Sequence, residues 1–193
     1  MKFLITNDDG IDSKGLYALA QTVTSLGFEA VVAAPSENMS GVSASLMPFG
    51  DHDRVAVEEV DIPELKGIKS FSVGAPPALI VMLSMLGGFG EPPDIVASGV
   101  NLGPNTGRST LFSGTIAAVK TAAQFGRSGI AASINYHPSI DTEEYWETAK
   151  EMSVKPLEWL ISAPDLTMLN LNIPNKPLEE VVGFRQADLA HIG

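Results

Sequence analysis

Lys2-Phe3-Leu4-Ile5-Thr6-Asn7-Asp8-Asp9-Gly10, then Leu16, Leu19, Ala20, Val23 and Leu26, then Ala30-Val31-Val32-Ala33-Ala34-Pro35: these three pieces decide the fold. The first is a short apolar run cut off abruptly by Asn-Asp-Asp-Gly, which reads as a buried strand running into a turn. The second has apolar residues at helical spacing, and Gly27 stands where a helix stops. The third is another apolar strand, closed by Pro35. A strand, an amphipathic helix and a strand within about 35 residues make a βαβ unit. Such a unit crosses over right-handed and pairs its strands in parallel.

Working outward, Ser36–Gly50 is a polar loop, and Arg54–Val60 and Ser70–Val73 read as a peripheral strand pair around a turn at Pro63–Gly67. Pro76–Leu86 is apolar nearly all round and predicts a buried helix. Asp94–Ser98 predicts another buried strand, feeding a glycine-rich loop and then a helix from Thr115 to Phe125. Gly129–Ile134 reads as a strand, Thr142–Ile161 as a long helix, and Thr167–Ile173 as a strand ended by Pro174. Strands alternating with helices throughout predict a three-layer α/β fold with a mostly parallel central sheet, as a single domain over residues 1–193.

Composition narrows the function. Twelve Lys and Arg stand against 23 Asp and Glu, for a formal charge of −11. A surface so acidic repels nucleic-acid backbones, whose recognition needs clustered basic residues. A small phosphorylated substrate remains compatible, provided a metal ion reverses the local field. The acidic excess gathers in Asp51–Glu64 and Asp141–Glu151, both of which read as solvated surface. With no cysteine, disulfides, thiolate metal sites and thiol nucleophiles are excluded, which fits a cytoplasmic protein. The longest apolar runs, such as Leu79–Leu86, are too short to cross a bilayer. The N-terminus has no apolar core and cleavage site of a secretory signal.

In open parallel sheets, ligands bind beyond the carboxyl ends of the strands. Asp8 and Asp9 follow the first strand, Asn38-Met39-Ser40-Gly41 the second, and Gly99-Val100-Asn101-Leu102-Gly103-Pro104-Asn105 the Asp94–Ser98 strand. These are hard oxygen donors, suited to Mg²⁺, Mn²⁺ or Ca²⁺ rather than zinc. Asp-Asp-Gly on its own is more often a plain turn. At the end of a buried strand, however, two adjacent carboxylates repel unless a cation or donors neutralise them.

Ser113-Gly114-Thr115 stands where a helix begins, so free N–H groups and two hydroxyls make an anion site there. The rival is Ser113 as a plain N-cap. His52, His137 and His191 read as surface residues, with His137 alone placed after a parallel strand. No Gly-x-Ser-x-Gly elbow and no nucleotide-cofactor fingerprint occurs.

Together these segments resemble the survival-protein SurE family of 5′/3′-nucleotidases, whose fold is Rossmann-like. The resemblance is carried by Thr6–Gly10 (Thr-Asn-Asp-Asp-Gly), Ala34–Gly41, Ser98–Gly107, Ser113–Thr115 and Leu169–Pro174, in family order over nearly the whole chain. It implies one divalent cation per subunit, Mg²⁺ or Mn²⁺, held by Asp8, Asp9, Ser40 and Asn101. Asp8 or Asp9 is then the catalytic carboxylate, the choice left open. Asn105, Ser113, Gly114 and Thr115 are implied to line the substrate phosphate. The implied substrate is a nucleoside monophosphate and the implied assembly a homodimer, with the family's C-terminal oligomerisation extension expected to be largely absent.

Departures from the family pattern fall at Ser36-Glu37, at Ala75 and Ala78 within Gly74–Ala78, at Phe112 and at Thr121. Two functions follow: a metal-dependent phosphomonoesterase, or a non-catalytic phosphate- or nucleotide-binding paralogue.

Overall fold

The structure, a computed structural model, describes residues 1–50 and 53–189; His52 and His191 lie outside them. Its seven strands are β1 (Lys2–Thr6), β2 (Glu29–Pro35), β3 (Val57–Val60), β4 (Lys69–Val73), β5 (Ile95–Leu102), β6 (Ser128–Asn135) and β7 (Met168–Pro174). They form one sheet in the order β3-β4-β2-β1-β5-β6-β7. Every neighbouring pair is parallel except the peripheral β3–β4 hairpin, as the sequence predicts. The helices are α1 (Lys14–Ser25), α2 (Pro77–Met85), α3 (Gly114–Gln124) and α4 (Trp146–Ser162).

Strand periodicity builds the layers, because successive side chains leave a strand on opposite faces. Phe3 and Ile5 pack with Leu16, Leu19 and Val23 of α1 and with Leu157 and Leu160 of α4. Leu4, between them, packs with Leu79 and Ile80 of α2 and with Ala118 and Ala122 of α3. The sheet is therefore sandwiched between α1/α4 and α2/α3, the expected three-layer α/β arrangement. Helix α1 starts at Ser13, whose hydroxyl accepts the Leu16 N–H, and stops at Gly27, whose φ of +83° a glycine adopts without Cβ strain. No helix among the described residues is long and apolar enough to cross a membrane.

Two predicted boundaries move. The strand expected to end at Ser98 runs on to Leu102, with a register shift between Ser98 and Asn101 before pairing with β6 resumes at Asn101–Ser133. Gly99 makes this possible: its φ is +128°, and a Cβ there would collide with the Ala132 carbonyl oxygen. The helix expected from Thr142 begins only at Trp146. Asn175 holds the preceding segment out of the helix, accepting the Tyr145 N–H at 3.0 Å and donating to the Glu143 carbonyl at 2.8 Å.

What this topology positions is a crevice. From β1 the chain passes through α1 to β2 on one side. From β5, paired with β1 at Thr6–Ser98, it passes through α3 to β6 on the other. The two connections diverge beyond the carboxyl ends of β1 and β5, which is where open α/β sheets take their ligands.

Candidate active site

The turn after β1 is built by Asn7. Its amide nitrogen donates to the Gly10 carbonyl at 2.9 Å and to Ser13 Oγ at 2.6 Å, and its oxygen accepts the Gly10 N–H at 3.2 Å. Gly10 sits at φ +102°, and the following Ile11 N–H bonds the Pro35 carbonyl at the end of β2. A fully buried Asn thus closes the loop and anchors the start of α1, which leaves Asp8 and Asp9 in fixed and different directions.

Asp8 is 3 % exposed and turns toward α3. Its Oδ2 accepts the Gly114 N–H at 3.0 Å and its Oδ1 accepts the Thr115 hydroxyl at 2.6 Å. Burial pushes its pKa up, opposed first by the Thr115 hydroxyl bond. At the start of α3 the Gly114 N–H and the Thr115 hydroxyl are thus taken up by the chain's own carboxylate. Ser113 is the N-cap, accepting the Ile116 N–H at 3.1 Å.

Behind Thr115 stands Asn105, which donates to Thr115 Oγ1 at 3.4 Å and to Ser133 Oγ at 3.0 Å. Its backbone is clamped by β7: Asn172 accepts its N–H at 2.8 Å, and Asn170 and Asn172 both donate to its carbonyl. Asn105, Gly114 and Thr115 form the wall that orients Asp8, with Ser113 capping α3 beside it; that these four line a substrate phosphate is what the resemblance implies. All four are buried.

Asp9 faces the other way. Its Oδ2 accepts the Leu102 N–H at 3.0 Å, tying the end of β1 to the end of β5, and Asn38 approaches its Oδ1 at 3.5 Å. Burial pushes its pKa up to about 6; the Leu102 amide opposes this and the charge of Asp8 adds to it. The loop carrying Ser40 is pinned beside the pair by the Met39 N–H, which bonds the Asp8 carbonyl at 2.6 Å. The Ser40 N–H donates to Asn38 Oδ1, while its side chain is exposed and makes no hydrogen bond among the described residues. Asn101 donates through its amide nitrogen to the Gly103 carbonyl at 2.6 Å, and its amide oxygen accepts no hydrogen bond among the described residues.

Three strand ends thus gather at one place, as read from the sequence. Among the described residues neither Asp8 nor Asp9 belongs to an ion pair. Among the described residues no group of three or more His, Cys, Asp or Glu could hold a metal. The donor set, two adjacent carboxylates with neutral oxygens of Ser40 and Asn101 nearby, nevertheless suits a hard divalent cation. Carboxylate, hydroxyl and amide oxygens are the donor types such a cation takes.

At the ends of these strands Thr6 and Ser98 lie opposite each other in the β1–β5 register, and their buried hydroxyls have no hydrogen-bond partner among the described residues. Each such orphan costs about 1–3 kcal/mol. Stability is being given up just where the crevice opens, as functional sites commonly require.

Beside Asp9 opens a cavity of about 220 Å³, lined also by Asn38, Leu102, Ser13, Lys14, Gly15, Glu144 and Trp146. Glu144 and Trp146 come from the acidic stretch read as solvated surface. Only the packing of the α4 N-terminus beside that of α1 brings them here, and nothing local in the sequence announces it. His137 sits in an exposed turn, where its N–H bonds Asp141 at 2.6 Å, and it does not line the cavity.

The family model for survival protein SurE matches residues 3–192 of this chain. The chain belongs to the SurE family. Its relatives include a 5′/3′-nucleotidase SurE of Cronobacter sakazakii, 35 % identical over 96 % of this chain and 68 % of the relative. A 5′-nucleotidase SurE of Carboxydothermus hydrogenoformans is 36 % identical over 95 % of this chain and 69 % of its own. The crystal structure of a SurE protein from Aquifex aeolicus superimposes with a TM-score of 0.79 at 30 % identity, covering 96 % of this chain and 71 % of that one. In this SurE-family chain the departures Ala75, just before α2, and Ala78, in its first turn, are both fully buried and do not line the cavity next to Asp9.

Proposed function

We propose that the protein is a nucleotidase, a phosphomonoesterase that releases phosphate from nucleoside 5′- or 3′-monophosphates with the help of a divalent cation. The single observation that carries the reading is the Asp9–Leu102 bond. It closes the ends of β1 and β5 at the point where the chain's connections diverge, with Asp8, Asn38, Ser40 and Asn101 around it. The relatives' nucleotidase names support the substrate class.

Asp8, Asp9, Ser40 and Asn101 would hold the cation, Mg²⁺ or Mn²⁺. When bound, it supplies charge neutralisation at the phosphoryl oxygens and lowers the pKa of water. The two carboxylates divide the remaining work. Asp8, fixed by Gly114 and Thr115, contributes an immobile charge. Asp9 lines the cavity, and we assign it the proton of the attacking water on that ground. As the water oxygen bonds to phosphorus, the phosphorus–ester oxygen bond breaks and the nucleoside leaves as the alcohol, protonated from solvent. The second reading, a non-catalytic phosphate- or nucleotide-binding paralogue, is motivated by Ala75 and Ala78, which are buried and do not line the Asp9 cavity.

The test is release of inorganic phosphate from a panel of nucleoside monophosphates with Mg²⁺ or Mn²⁺. Turnover is expected, and a chelator is expected to abolish it. Turnover that persists after chelation overturns the mechanism.

A further inference from the structure

We infer that the recess between α1 and the start of α4 is the site for the uncharged nucleoside half of the substrate, with Glu144, Lys14 and Trp146 as its specificity residues. This rests on the phosphomonoesterase reading above and adds what the leaving group must look like.

The recess is continuous with the candidate centre, because Asp9, Asn38 and Leu102 form one side of it. The far side is a preassembled polar cluster. Glu144 Oε2 accepts from Lys14 Nζ at 3.0 Å and from the Trp146 indole N–H at 2.9 Å. Both bonds hold the Glu144 pKa down, so it is a carboxylate at neutral pH. Glu144 Oε1 makes no hydrogen bond among the described residues and remains a free acceptor. The indole, half-buried and locked by its N–H bond, supplies a flat apolar wall that costs little further ordering when a ring lies on it. Gly15 brings this wall close: a Cβ there would collide with the Val100 carbonyl oxygen and stand 3.1 Å from the Trp146 ring.

Charge then selects the ligand. Asp9 and Glu144 present two carboxylates against the single Lys14, which Glu144 already pairs. A second phosphate in the recess would meet net negative charge, whereas sugar hydroxyls can donate to Glu144 Oε1. A volume of about 220 Å³ is below the usual range for whole drug-sized ligands, so it fits one part of a substrate whose phosphate stays at Asp8 and Asp9. The chemistry therefore favours nucleoside monophosphates over nucleoside triphosphates and inorganic polyphosphate.

The full chain with Trp159→Phe keeps Trp146 as its sole tryptophan, since the protein has two and Trp159 is exposed on α4. Titration with uridine, which carries no phosphate, in the presence of Mg²⁺ should change Trp146 emission saturably. Glu144→Gln in the same background should weaken this binding by about tenfold, the effect of losing a charged acceptor. Uridine should also compete with a nucleoside monophosphate for hydrolysis. No emission change up to the solubility limit of uridine overturns the inference, as does binding that Glu144→Gln and Lys14→Ala both leave unaltered. Uridine binding without any phosphate release supports the recess and sinks only the hydrolytic reading. Phosphate release with no uridine binding, or with polyphosphate preferred, sinks only the recess.

Discussion

On the α3 side of the crevice, Asp8 is held by a backbone N–H and a hydroxyl, backed by Asn105 and by two asparagines of β7. On the α1 side, the adjacent Asp9 is held by one N–H from β5 and a long contact from Asn38, and borders open space. Two chemically identical residues are thus separated into a packed wall and an accessible edge. The difference teaches that a metal-type acidic pair need not be symmetrical. One carboxylate is immobilised by the fold, and its neighbour keeps the freedom to exchange a proton. Four changes put that division to the test.

The largest effect is expected from Asp9→Asn. It keeps the size and the ability to accept the Leu102 N–H, and removes the charge and the basic oxygen. Phosphate release should fall at least about a thousandfold, as loss of a general base and of a cation's ligand together implies. The melting temperature should hold or rise, because the variant no longer buries that charge. A large loss of stability would show that Asp9 belongs to the wall.

Gly114→Ala probes the wall. A Cβ at Gly114 would stand 2.8 Å from Asp8 Cβ, 2.9 Å from Asp8 Oδ2 and 3.0 Å from Pro77 Cγ, so Asp8 has to move. Overpacking of this kind costs about 2–3 kcal/mol. Denaturant unfolding should show it, and turnover should fall with it. A variant that is as stable as the parent and fully active would mean that Asp8 is not held where the hydrogen bonds place it.

Much of this architecture is legible in the sequence, and what is not has physical reasons. Asn7 to Gly10 can be read because a turn after a buried strand is local chemistry. The layers follow because Phe3, Leu4 and Ile5 must alternate between faces. The extension of β5 to Leu102 is hidden because Gly99, read as the start of a loop, uses its backbone freedom inside a strand. At the start of α3, free N–H groups announce an anion without saying which one. The bond between Thr115 and Asp8 spans 107 residues, and no local pattern encodes it. Glu144 and Trp146 reach Asp9 only through helix packing, and an acidic run looks the same whether it meets solvent or a cleft.

The electrostatic half of the comparison predicts a pH dependence. Asp9 takes up its proton near pH 6 in the folded chain, against about 3.8 for an ordinary aspartate. Between those values the folded state binds more protons than the unfolded one, so stability falls as pH rises. The Asp9 contribution is fully present below pH 3.8 and gone above about pH 6. Calorimetry on chelated protein at pH 4.5 and pH 7.5 should show wild type losing about 2 kcal/mol relative to Asp9→Asn. Mn²⁺ should restore more stability at pH 7.5 than at pH 4.5, because the cation binds the ionised pair. Parallel curves for the two proteins would remove the case for a strained Asp9.

The smallest effect should come from farthest back in the wall, at Asn172. Its side chain accepts the Asn105 N–H at 2.8 Å and donates to the Asn105 carbonyl at 3.1 Å, a carbonyl that Asn170 also serves. Asn172→Ala therefore orphans the N–H of a buried residue while the carbonyl keeps one donor, at a cost of about 1–2 kcal/mol. Asn105 donates to Thr115, whose single hydroxyl proton then has to go to Asp8. Loosening Asn105 frees that hydroxyl to rotate. The expected result is a fall in kcat of about tenfold with KM nearly unchanged, because the Asp8 side orients charge and does not touch the nucleoside. Asn172→Asp keeps the acceptor for the Asn105 N–H, and Asn170 still serves the carbonyl, so it should recover most of the rate. A rise in KM with kcat intact would mean that the wall reaches into the recess, and the separation of the two aspartates by task would have to be abandoned.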